Sequence, residues 1–174
     1  MNIIELNKEN AAKVANLMNE MKPEWWSTFD EAYGQLTNID ESIGTIGWYL
    51  ADEMGSPTGW TLFRELKLYS SLELECCGYN DNGIFKLEHK LKILFDKASD
   101  YAKSKGYTTL RTGMSSMDFN IDGLEIKDIP NAMKSLRTER VDYCWLLDYG
   151  FKVCGIHPNA YGNNSHVILF VKEL

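Results

Sequence analysis

The feature that most constrains this chain is a strand, a turn and a long amphipathic helix between Tyr69 and Gly106. The three parts read SSLELECCGY, then NDNG, then IFKLEHKLKILFDKASDYAKSKG. In the last part Ile84, Leu87, Leu91, Leu94, Ala98 and Tyr101 recur at steps of three and four, which sets them in one stripe along an α-helix. Lys86, Lys90, Lys92, Asp96, Lys97 and Lys103 take the other faces, and Lys105-Gly106 supplies a basic last turn and a glycine stop. A strand feeding a helix start converges backbone N–H groups and the positive end of the helix dipole on one spot, which suits an anion such as phosphate. A packed corner that binds nothing is the alternative reading of the same residues.

The 174 residues suit one domain (1–174) with a full hydrophobic core. A net charge of −7 argues against a nucleic-acid partner, which draws on a basic face. No apolar run reaches the length of a membrane span, and MNIIELNKEN lacks a signal-peptide shape, so a cytoplasmic chain with no membrane partner is expected. Cys76, Cys77, Cys144 and Cys154 show no CxxC spacing and read as small buried hydrophobes in a reducing compartment. His89, His157 and His166 are scattered without metal-ligand spacing, so no metal is expected.

Taken in order, residues 2–6 suit a short first strand, and Asn7 stands where an N-cap belongs before a helix carrying Ala11, Ala15, Met18 and Met21. Pro23 stops that helix, and Trp25 and Trp26 follow in a loop, as pocket lining or as core packing. Thr28 or Asp30 caps a second, shorter helix. Residues 42–52 and 59–68 read as an antiparallel hairpin across the turn cluster 53–57. The next strand, Ser71 to Tyr79, alternates Leu72, Leu74 and Cys76 against Glu73, Glu75 and Cys77, and Gly78 suggests a bulge or a close backbone approach. A strand at 108–116 follows the long helix, which makes a βαβ unit. Residues 117–138 read as an insertion or lid holding a short helix at Pro130. A helix over 139–149 follows, with Val141, Trp145 and Asp148 on one face, and strands at 151–156 and 166–171 close the chain. The fold class is therefore α/β: a central mixed sheet flanked by helices, in the order β-α-α-β-β-β-α-β-α-β-β.

That order, with the segments ILFDKASDYAKSKGYTTLRTG and WLLDYGFKVCG, resembles the GNAT superfamily of acyl-CoA-dependent N-acyltransferases over nearly the whole chain. The resemblance implies acetyl-CoA as cosubstrate, a small-molecule amine as acceptor, and direct attack of the amine on the thioester. The family's glycine-rich pyrophosphate loop would fall on 86–91, which holds no glycine; the nearest is Gly83. The family's Asn at the last helix and its Tyr four residues before the Gly-Phe are replaced by Glu139 and Leu146.

The resemblance implies three physical tasks. A base takes a proton from the ammonium; Glu75 is the first candidate and Glu73 the second, because like charges on one strand face shift proton affinity. A backbone N–H on a bulged fourth strand stabilises the oxyanion. An acid protonates the leaving thiolate, for which Tyr149 and then Tyr143 are candidates. The cofactor would lie against the backbone at Cys76, Cys77 and Gly78, with its phosphates near Lys86, His89 and Lys90. Trp25, Trp26 and residues 117–138 would flank the acceptor. A non-catalytic GNAT-like module that binds a small molecule or a protein is the alternative, and a homodimer stays open as the assembly.

Overall fold

Period-two and period-3.6 stretches become strands and helices in the expected order. The computed structural model describes residues 1–37, 44–80 and 87–174. They divide into two compact units, residues 1–108 and 109–174. The first holds β1 (Asn2–Glu5), α1 (Ala11–Met21), α2 (Phe29–Thr37), β2 (Thr45–Ala51), β3 (Pro57–Leu66), a 3-10 turn (Lys67–Tyr69), β4 (Ser71–Tyr79) and α3 (Leu87–Ser104). The second holds β5 (Thr109–Ser115), α4 (Ile129–Lys134), α5 (Val141–Asp148), β6 (Lys152–Gly162) and β7 (Ser165–Glu173).

In the first unit β1, β2, β3 and β4 pair in sequence, all antiparallel. One sheet face carries Tyr49, Ala51, Trp60, Leu62 and Cys76, and buries them against Ala11, Val14, Ala15, Leu17 and Met18 of α1 and Ala32 and Leu36 of α2. The other face meets α3: Phe63 packs edge-on against Phe95 at 5.8 Å, and Trp48 against Tyr101 at 5.4 Å. Three layers result, because each helix has one apolar stripe and the central strands are apolar on both faces.

The helix ends follow local chemistry. The Asn7 side chain accepts from the N–H groups of Glu9 and Asn10, although α1 itself starts at Ala11. At α2, the Glu31 N–H donates to Thr28 Oγ1 and the Thr28 N–H donates to Glu31 Oε2, both at 3.2 Å. That reciprocal capping box makes Thr28 the cap. Asp128 accepts from the Asn131 N–H at 3.0 Å to start α4, with Pro130 in its first turn.

In the second unit β7 pairs with β5 on one side and β6 on the other, both antiparallel. The segment 157–162, read as a connection, extends β6, and Gly162 pairs with Ser165 so that the turn shrinks to two residues. The face expected for α5 is also corrected. Trp145 and Leu146 are the buried pair, whereas Val141 is 60% exposed and Cys144 and Asp148 are exposed. Two adjacent large residues set the inward direction of so short a helix more strongly than its i, i+4 spacing does.

Among the cysteines only Cys76 is buried; Cys77 is half-buried, Cys144 and Cys154 are exposed, and all four are free thiols. The reading of all four as core residues therefore holds for one of them.

Candidate active site

The register between β3 and β4 slips once. Leu62 pairs with Cys76 and Phe63 pairs with Leu74, so Glu75 has no partner residue on β3. That is a β-bulge, and it inverts the alternation along the strand. Cross-strand partners share a face, so Leu72 and Leu74 point with Phe63 toward α3, while Cys76 points with Leu62 toward α1 and α2. The expected single row of Leu72, Leu74 and Cys76 is thus broken in two. The bulge sits at Glu75, whereas the sequence pointed to Gly78.

Gly78 answers to the second reading of an in-strand glycine, a close approach. A Cβ there would stand 2.1 Å from Cη2 of Trp60, whose ring lies over the strand opposite. Trp60 contacts Trp26 edge-on at 6.2 Å. Trp26 is buried, its indole N–H donating to Gln35 Oε1 and its carbonyl accepting from Asn19. Trp25 is 60% exposed, with the Lys22 ammonium 5.7 Å from its ring centre. Of the paired tryptophans, one is therefore core and the other is surface.

The two candidate bases differ in setting. Glu73 lies opposite Arg64 on β3, and the bulged Glu75 reaches the same guanidinium, Oε1 to Nη2 at 2.7 Å. A third charge thus joins the two like ones, since Arg64 pairs with Glu75 and stands opposite Glu73 in the ladder. Sequence reasoning missed Arg64. Its signal is faint, a basic residue ending the row Trp60, Leu62, Arg64, and only the register reveals its partners. Burial, followed by the neighbouring Cys77, pushes the Cys76 thiol well above its ordinary range. Burial thus favours its neutral thiol over the nucleophilic thiolate.

At the head of α3 the candidate phosphate ligands separate. Lys86 lies outside the described residues. His89 is exposed. Lys90 is 2% exposed, and its ammonium donates to the backbone oxygen of Asn80 at 2.7 Å and to Asn80 Oδ1 at 3.2 Å. The placement of Lys90 on an outer face is overturned, because it shares the inward stripe with Leu91, Leu94 and Phe95. Its charge ties the end of β4 to the first turn of α3 and is not displayed to a phosphate.

The candidate acids lie in the second unit. Tyr143 is half-buried, edge-on to Phe119 at 5.1 Å and to Phe170 at 5.9 Å. Burial, then the Cys144 thiol, raises its proton affinity, so the phenol stays protonated at neutral pH. Tyr149 stacks between Trp145 and Phe151, with the Lys172 ammonium 3.5 Å from its ring centre and bonded to its carbonyl. Segment 117–138 is held by bonds of its own: Asn120 to Ser135 and Arg137, Thr138 to Asp118, and the Asp122 carboxylate to the Ser116 hydroxyl. An open hollow of about 600 Å³ is lined by Asp118, Arg137, Thr138, Glu139 and Arg140. Arg140 there grips Asp142; burial opposes the ionised carboxylate, but the guanidinium outweighs it and holds Asp142 below its usual range. None of the candidate bases, acids or cofactor ligands lines that hollow, whereas Asp118, Arg137 and Thr138 belong to the segment expected to flank the acceptor. Among the described residues no cluster of metal-ligating side chains occurs.

No sequence-family model matches the chain, and no curated protein matches it by sequence. Solved structures do. An aminoglycoside 6'-N-acetyltransferase from Enterococcus faecium superposes with a TM-score of 0.84 at 17% identity, over 99% of this chain and 97% of that one. An aminoglycoside 6'-N-acetyltransferase complexed with coenzyme A gives 0.80 at 16% identity, over 99% and 97%. A protein assigned to the acetyltransferases of the GNAT family, from Desulfovibrio desulfuricans, gives 0.68 at 11% identity, over 99% of each chain. The fold is that of the GNAT acetyltransferases. The α/β class and the element order read from the sequence are those of this fold. The bulge expected on the fourth strand is present, and Glu75 occupies it. At the head of α3, Lys90 is turned inward.

Proposed function

We propose that this chain is an acetyl-CoA-dependent N-acetyltransferase acting on a primary amine of a small molecule. One observation carries the reading: in a chain whose whole length follows the acetyltransferase fold, β4 bulges at a carboxylate that reaches a partner across the sheet face. The bulge fits the thioester end of acetyl-CoA, which supplies an activated acetyl group. Glu75 takes one proton from the bound ammonium, and the freed lone pair forms the C–N bond. A backbone N–H at Cys76 or Cys77 steadies the oxyanion. The C–S bonding pair leaves with sulfur, the thiolate takes a proton from water, and the nitrogen gives its second proton to water. The products are an N-acetyl amine and free coenzyme A. Neighbours named for aminoglycoside acetylation support a small-molecule acceptor.

The inward Lys90 favours a second reading, a module of this fold that has lost the cofactor. One experiment separates the two. Millimolar acetyl-CoA should raise the unfolding midpoint, and thiol release should then follow on adding an amine. Glu75→Gln should keep the midpoint shift and lose roughly 10²-fold or more in kcat. No shift at millimolar acetyl-CoA refutes the transferase.

A further inference from the structure

We propose that Arg64 selects the acceptor, pairing with Glu75 to recognise an amine that carries a carboxylate beside it, the α-amino acid class. The inference rests on the transferase reading of Glu75 and adds the chemistry of its substrate. Trp60, Leu62 and Arg64 alternate along β3 toward the face covered by α1 and α2, with the first two buried and the Arg64 side chain 45% exposed. Glu75, its side chain 24% exposed, stands 2.7 Å from the guanidinium, and Glu73 lies opposite Arg64 in the ladder.

A guanidinium carries five N–H donors in a fork shaped for carboxylates. The ion pair to Glu75 brings Nη2 to 2.7 Å from Oε1. The pair is a fixed dipole at the bulge. A zwitterion lying alongside it in the opposite sense sets its ammonium on Glu75 and its carboxylate on Arg64, and the Arg64–Glu75 contact need not break. A plain alkylammonium reaching Glu75 meets a like charge at the neighbouring guanidinium instead. Arg64 thus repels the simple amine and attracts the amino acid, so both effects push selectivity the same way.

The test uses the full chain and follows thiol release from acetyl-CoA with glycine, alanine, phenylalanine and lysine, each against its carboxamide. The wild type should favour the free acids by about tenfold or more in kcat/KM, the scale of a charge-assisted bidentate contact. Arg64→Gln should raise KM for the acids, raise kcat/KM for the amides and bring their ratio near one. Arg64→Lys should restore part of the preference, since it keeps the charge and loses the fork. The midpoint shift with acetyl-CoA should persist in both variants, which separates acceptor choice from folding. Equal use of acids and amides by the wild type, or a preference that survives Arg64→Gln, overturns the proposal and leaves only a surface ion pair. A chain that shifts with acetyl-CoA and acetylates amides alone overturns Arg64 but spares the transferase. Thiol release with no amine at all overturns both.

Discussion

Gly78→Ala offers the sharpest perturbation. The added Cβ would lie 2.1, 2.4 and 2.7 Å from Cη2, Cζ2 and Cζ3 of Trp60, all well inside contact distance. Relief needs the outer edge of the indole to move by more than an ångström. Trp60 has no room for that: it is fully buried, and Trp26 and Leu62 belong to the same packed cluster. Overpacking of this kind costs about 1–3 kcal/mol. In a chain of this length that lowers the midpoint by roughly 2–4 °C per kcal/mol, so a loss of several degrees is expected in calorimetry or denaturant unfolding. The partner variant makes the argument specific. Trp60→Phe removes the distal ring atoms and by itself leaves a cavity, yet in the Gly78→Ala background it should cost much less. The double-mutant coupling should be favourable by about 1 kcal/mol or more. A Gly78→Ala midpoint within a degree of wild type, or strictly additive variants, would show that the glycine is not there to admit the tryptophan.

Further outcomes follow from other contacts. Lys90→Ala leaves two oxygens of Asn80 without their donor and opens a cavity, and should cost about 3 kcal/mol; Lys90→Met, which refills the space without a charge, should cost clearly less in urea unfolding. Equal losses would assign the cost to the hydrogen bonds that both variants lack and deny the cavity any role. The Glu31 carboxylate is held below its ordinary value of 4.5, first by the Ser27 hydroxyl and next by the Thr28 N–H. A lowered carboxylate adds stability that is present above its unfolded value and lost as pH falls through the folded one. Glu31→Gln should therefore flatten the acid limb of the midpoint–pH curve while changing little of its shape near neutrality. The hydroxyl of Thr61 is buried without a hydrogen-bond partner among the described residues, so Thr61→Val should hold or raise stability, by at most about 1 kcal/mol. A clear loss would reveal a partner, such as a bound water.

Much of the fold was legible because it is written in local periodicity. The stripe Leu91, Leu94 and Ala98 is buried as its spacing requires, β4 spans Ser71–Tyr79 as read, and the Thr28 and Pro130 helix starts follow from side-chain chemistry within three residues. The sequence alone also determined which carboxylates stand on the fourth strand. It did not determine which way they point. That depends on pairing: one skipped partner at Glu75 turns half of β4 over and brings Arg64, eleven positions away, against the candidate base. Lys90 looked like a solvated cation for the same kind of reason, since the oxygens that receive it belong to Asn80, ten positions earlier. Propensity and spacing act between neighbours along the sequence, whereas register, burial and charge pairing act between segments that only folding makes adjacent.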